Sequence, residues 1–447
     1  MWGSAPHDIA KGVHRPLTAT VLAINPEAVP PVYLASLDWG WWRSSEDEWF
    51  LRGAILEELG LEESQLLIHL SHTHSGPSIS LQAQDKPGGE LIRPYLESVR
   101  DRLLDTIVNA QRHTRAATIT WHQGRCQLAC CRDQRLSNEG KTIVGYSPQA
   151  PADDTLVVGR VVSDEGGVLA TLVNYACHPT TLGSANALIS PDYVGATREV
   201  VEAHTGNAPC IFLLGAAGDL APRRQYKGEV DVAEQNGRQL GYAVLATLED
   251  MLPSGKRLVF QGTEESTARL GHWALADDQA DGFAAFACSH LTFPLARSRS
   301  EGAAGLGATQ DRASLERMER MLQLWCGHEN SESASVKVWI HRFGDAVFVA
   351  VPGEMHSVFQ TTLRRRFSEH TIVVVNLVNG MHGYFPPLED FQEHTYQCQT
   401  TLYEPGAYEA ILEKTSAAIE NLLQPVASGA SRSHSTKARN AGQSVSE

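Results

Sequence analysis

The sequence predicts an α/β protein: one large domain with a mixed β-sheet flanked by helices, and an active site at the C-terminal ends of the strands. Three observations carry that expectation. Apolar runs of strand length alternate with segments of helical periodicity along the chain. Some of those runs, "PCIFLLGAAGDLAP" (209–222) among them, are continuously apolar and then glycine-rich, as buried strands feeding functional loops are. No linker or repeat divides the 447 residues into halves. Residues 1–425 therefore read as one catalytic-type domain, and the polar stretch 426–447 as a disordered tail.

The elements run in order. "LTATVLAI" (17–24) and "PVYLASLDWG" (31–40) read as strands, and Ser45 with Glu48 as a capping box opening a helix that runs to Gly60. "LLIHL" (66–70) is the next strand. Pro94 then starts a helix whose stripe is Leu96, Val99, Leu103, Ile107 and Val108. After the strands "VVGRVV" and "VLATLVNYACHP", Ser190 and Pro191 stand as N-cap and first residue of a third helix. A helix over 232–251, the strands "VKVWIHRF", "DAVFVAVPGE" and "TIVVVNLVNG", and a helix near 405–423 complete the pattern. Residues 297–309 read as an exposed loop.

Composition excludes several classes. The net charge is −15 with no run of lysine or arginine, which argues against a nucleic-acid partner. The apolar runs fall well short of the ~20 residues that a spanning helix needs. The N-terminus carries no basic and apolar leader pattern, so a cytoplasmic location is expected, or secretion if a leader precedes the given sequence. Eight cysteines without a C-x-x-C pair read as reduced and mostly buried.

Chemistry concentrates in a few short segments. "LLIHLSHTHSGPS" holds His69, His72 and His74, and on its own leaves open a metal site, a catalytic base or a histidine-rich strand end, a lone H-x-H being a weak metal signal. Strand alternation puts His72 and His74 on one face and turns the structural His69 away. His178 precedes a proline at a strand end, Glu354 follows Pro352-Gly353, and "VNLVNGMHGYFPP" carries His382 and Tyr384. Each in isolation is ordinary. Together they set ligand-type side chains just beyond strand C-termini, where α/β sheets bind ligands. Histidines, a carboxylate and a further oxygen donor suit zinc.

In order, "HTHSGP", "HPTTL" with "SPDYVG" after it, "GAAGDLAP", "VPGE" and "NGMHGY" resemble the neutral (non-lysosomal) ceramidase family, in its catalytic domain only, over nearly the whole chain. That resemblance implies a zinc-dependent amidohydrolase that cleaves an amide (N-acyl) bond with a metal-activated water. Its implied zinc ligands are His72, His178, Glu354 and Tyr384, the last five residues after Asn379. It implies His74 as proton shuttle and Tyr396, twelve residues past Tyr384, as oxyanion donor. Arg132 in "ACCRDQR" matches a family arginine, with Cys131 in place of the usual asparagine, and either anchors substrate or makes a structural salt bridge.

The departures shift the expected substrate. The family's "GDVSP" reads "GDLAP" here, so Ala221 stands where the family has a serine. No C-terminal immunoglobulin-like domain is expected after it. A small or amphiphilic N-acyl amide is therefore expected rather than ceramide, with Trp41, Trp42, Trp49 and Phe50 as candidates for an acyl pocket. Asp192 and Asp219 read either as orienting the histidines or as a helix cap and a turn residue. An esterase or lactonase on the same site, or a non-catalytic zinc-containing binding protein, are the alternatives.

Overall fold

Runs of β-branched and apolar residues become strands because such side chains pack well on a pleated surface. In the computed structural model, which describes residues 5, 7–26, 29–277, 286–298, 311–325 and 332–424, they build three principal sheets. The first joins Ala19–Ile24, Val32–Leu37 and Leu66–Leu70. The second runs Cys210–Leu214, Val168–Tyr175, Thr155–Ser163, Ala117–Arg125. The third runs Phe286–Ala296, Ser333–Phe343, Ala346–Ala350, Thr371–Val375. Each is mixed, with one parallel pairing among antiparallel ones. The expected α/β class holds, with three mixed sheets in place of one.

The three sheets meet in one apolar cluster that draws Val32 and Leu67 from the first, Leu172 and Ile211 from the second, and Trp339 and Val373 from the third. Polar side chains stitch the junctions. The Asn379 amide accepts from Ile68 N (2.7 Å) and donates to Leu66 O (2.9 Å), standing in for a strand neighbour. His69 is structural, as expected. Its Nε2 accepts from Leu214 N at 3.0 Å, and its Nδ1 donates at 3.0 Å to Ser36 Oγ, whose own proton goes to Phe212 O.

Eight helices cover the sheets among the described residues: α1 (Ser45–Leu59), α2 (Ile92–Arg112), α3 (Tyr193–His204), α4 (Val230–Glu249), α5 (Arg312–Trp325), α6 (Ser357–Arg366), α7 (Tyr396–Thr400) and α8 (Ala407–Leu423). Several starts differ from expectation. Ser44, not Ser45, caps α1 by accepting from Asp47 N at 3.1 Å, and Glu48 instead pairs with Arg52 inside the helix. Helix α2 begins at Ile92, leaving Pro94 in the first turn, where its missing N–H breaks no bond. Asp192, not Ser190, caps α3 from a left-handed backbone (φ 57°). Helix α5 has no counterpart among the elements expected from sequence. Arg297, expected in an exposed loop, is buried and bridges to Tyr403, while residues 299–309 and the tail 426–447 lie outside the described residues. No described helix is long and apolar enough to cross a membrane. The seven described cysteines are free thiols.

Two buried histidines make stability pH-dependent. Burial pushes His69 down to about 3 and His341 down to about 4, from 6.5. Below pH ~6.5 the unfolded chain therefore binds protons that the folded chain refuses, and stability falls as the medium becomes acidic. Each proton contributes about 1.4 kcal/mol per pH unit until the folded values are reached. Urea unfolding of the metal-free protein should thus show falling stability from about pH 6.5 towards pH 5. A flat profile over that window would contradict the neutral assignment.

Candidate metal centre

The segment that brings His72 and His74 together is not a strand. The strand ends at Leu70, and His72 sits in the left-handed region (φ 70°), a conformation that costs a non-glycine residue energy and needs support. Backbone bonds supply it: His72 N donates to Trp39 O at 2.8 Å and His72 Nδ1 to Gly40 O at 3.0 Å. Turn geometry rather than strand alternation then sets the two rings 4.8 Å apart.

His178 lies three residues beyond the strand Val168–Tyr175, and its backbone N is tied to Leu220 O at 3.1 Å. Its Nδ1 points at two carbonyls, Ala217 O (2.7 Å) and Leu220 O (3.0 Å). Glu354 follows the Pro-Gly turn after Ala346–Ala350, and it pairs in parallel register with Tyr384. The carbonyls facing both Nδ1 atoms only accept, so each Nδ1 carries the proton and each Nε2 presents a lone pair.

Those lone pairs converge on a carboxylate. Glu354 Oε2 lies 2.9 Å from His178 Nε2 and 3.3 Å from His72 Nε2, with all three side chains buried. Burial, aided by the Arg132 charge, pushes His178 down to about 4. Near neutral pH, then, a carboxylate meets a neutral imidazole with no proton between them. Electron-rich atoms in that arrangement repel unless a cation sits among them, and the donor set is one that zinc accepts. Ring nitrogens of His72, His74 and His178 also lie within 4.8 Å of one another, so His74 is placed either to join the donors or to stand beside them.

A cavity of about 420 Å³ opens over these groups, lined among others by Trp41, His74, Arg132, Tyr384 and Tyr396. The Tyr384 hydroxyl accepts from Arg132 Nη2 at 3.1 Å, and burial together with Glu354 pushes it well up. Arg132 makes no salt bridge among the described residues. It is buried, clamps Gly218 O through Nε (3.1 Å) and Nη2 (2.6 Å), and so fixes Tyr384. Tyr396 starts α7, its ring set edge-on to Tyr384 at 5.8 Å, and its hydroxyl accepts from Arg320 Nη2 at 2.9 Å.

Other candidates settle elsewhere. Asp219 accepts from Ser357 N and Oγ, both at 2.6 Å, and so caps α6; its neighbours Ala217 and Leu220 hold His178 through their carbonyls. Asp192 accepts from Leu182 N and Tyr193 N rather than orienting a histidine. His382 bonds Tyr403. Of the aromatic residues expected at an acyl pocket, only Trp41 lines the cavity; Trp42 is core, Trp49 is 53% exposed, and Phe50 packs under Arg93. Ala221 is fully buried where Leu220–Pro222 pairs with Ala129–Cys131, and it does not line the cavity. Glu316, Arg317, Arg320 and Met321 of α5 do line it, and none of them is among the candidates expected from sequence. The amphipathic spacing of "ASLERMERMLQLW" (313–325) marks the helix, but not which of its charged residues face a pocket.

Fold and site together define an α/β protein with a buried, histidine-rich pocket able to hold a metal ion. The fold is similar to that of two solved structures. One, described as a ceramidase complexed with C2, superposes with a TM-score of 0.66 at 16% identity, covering 97% of this chain and 74% of that one. The other, neutral ceramidase from Pseudomonas aeruginosa, gives 0.64 at 17% identity, covering 97% and 73%. No protein-family model and no curated protein matches the chain. The likeness is one of fold.

Proposed function

We propose that the protein is a metal-dependent hydrolase of an N-acyl amide, with zinc held by His72, His178, Glu354 and Tyr384. The observation that carries this reading is the convergence of two Nε2 lone pairs on the Glu354 carboxylate at a pocket floor. When bound at such a site, zinc lowers the pKa of a water ligand towards neutrality and polarises a carbonyl. The fold shared with solved ceramidases supports the choice of an amide bond.

The chain's own groups have separable tasks. His74 is held neutral, because burial and then the neighbouring His72 and His178 push it well below its ordinary value. A neutral imidazole takes the proton released by an attacking water, and its low affinity favours handing that proton to the leaving amine. The Tyr396 hydroxyl already accepts from Arg320, so its own hydrogen is left to donate to a developing oxyanion. Trp41 gives the pocket an apolar wall for an acyl chain.

His74→Ala separates shuttle from ligand. We expect it to retain metal and to lose roughly 10²–10⁴-fold in kcat, the usual worth of a positioned acid–base group. Loss of metal in that variant would reassign His74 to the donor set; full activity would remove its role. N-acyl amides, esters and lactones assayed side by side identify the bond.

A further inference from the structure

The wall that α5 gives the cavity carries more positive charge than the protein around it. The chain's net charge is −15, yet Arg132, Arg317 and Arg320 line one pocket against Glu316 and Glu354. Both carboxylates are already engaged: Glu354 faces the histidines, and Glu316 bonds Arg43 at 2.8 Å. Arg132 is occupied by Gly218 and Tyr384. Arg317 and Arg320, three apart on α5 and hence on one face, have no carboxylate within ion-pairing distance among the described residues.

We infer that this wall is an anion subsite, and that the substrate of the proposed hydrolase bears a carboxylate that pairs with Arg317 and Arg320. The inference rests on that reading for the reaction, but not for the binding. Aromatic rings flank both guanidinium groups: Arg320 lies over Trp41 (5.7 Å to the ring centroid) and Arg317 over Tyr396 (5.9 Å). A guanidinium beside an aromatic ring keeps its N–H edge able to meet a carboxylate in two parallel bonds, which a lysine cannot do. Support of Tyr396 by Arg320 accounts for one arginine alone. Arg317 makes no hydrogen bond among the described residues, and a structural role does not require a surplus of charge facing a cavity.

The subsite narrows the substrate. A cavity of about 420 Å³ that sets two guanidinium groups beside Tyr396 and Trp41, next to the proposed scissile-bond site, suits an N-acyl amino acid, whose carboxylate stands one carbon from the amide nitrogen, better than a neutral lipid amide. In its hydrolysis the amide C–N bond breaks and the water oxygen bonds to the acyl carbon. One water proton goes to the amine and the other ionises from the new acid. The amino acid keeps its carboxylate on the arginines until release.

The test compares N-octanoylglycine with its neutral primary amide on the metal-loaded enzyme. It adds binding, by calorimetry, of 4-oxoundecanoate and its primary amide, in which a methylene replaces the scissile N–H. The carboxylates should lead by about tenfold or more in kcat/KM and in affinity, the worth of one bond to a charged group. Arg317→Gln should erase most of that preference, and Arg317→Lys, which keeps the charge, should retain part of it. Carboxylate-selective binding that is lost in Arg317→Gln, with no turnover of any substrate, would uphold the subsite and sink the hydrolase reading. Equal binding of acid and amide, or a preference untouched by Arg317→Gln, would overturn the subsite.

Discussion

Exchanging Glu354 for glutamine is expected to weaken metal binding roughly 100-fold or more, the upper end of what losing even an outer-shell partner costs. Hydrolysis at limiting metal should fall in step. The same change should leave the metal-free protein as stable as before, or more stable. Glu354 presents a charge to two nitrogen lone pairs in a buried site. The glutamine amide instead brings N–H donors, one of which can satisfy a bare Nε2 at little change in shape. An ordinary buried ion pair behaves in the opposite way, since removing one partner there costs about 3–5 kcal/mol. Melting curves of the metal-free variant beside metal titrations therefore discriminate. Higher or equal melting temperature with weakened metal binding marks a metal site; a large drop in melting temperature marks a His–Glu pair.

Tyr396→Phe is expected to lower kcat by roughly 10²–10³ while changing KM little, as loss of an oxyanion donor does. The ring remains to pack edge-on against Tyr384, so the pocket keeps its shape. The change removes a hydroxyl whose acceptor side is already filled by Arg320, leaving its hydrogen for the substrate. Steady-state kinetics on the best amide of the panel, with metal content checked, measures the effect. A loss confined to KM would make Tyr396 a binding group instead.

Strand ends are the legible part of this site. His178, Glu354 and Tyr384 can be placed because a buried strand is a continuous apolar run, and the residues just beyond its C-terminal end in an α/β sheet stand at a functional edge. Strand alternation pairs His72 with His74 for a reason that does not apply. The strand stops at Leu70, and a left-handed residue at His72 performs the task expected of period-two alternation. Positive φ at a histidine has no sequence signature.

Partnership is the illegible part. Apolar alternation marks a strand but not its neighbours, so three sheets meeting at Asn379, His69 and Ser36 read as one. Ser44 and Ser45 offer identical hydroxyls, and only backbone geometry selects the first as cap. Arg317 and Arg320 reach the pocket from a helix remote in sequence from every histidine of the site, and nothing in "LERMERM" distinguishes a pocket arginine from a solvated one.

The most direct test is elemental analysis of protein purified without chelator, beside a His72→Ala/His178→Ala double variant. Near-stoichiometric zinc in the wild type, lost in the variant while its fold persists by circular dichroism, is the expected result. Wild-type protein that holds no metal, and takes up none when zinc is offered, would contradict a metal centre at these residues.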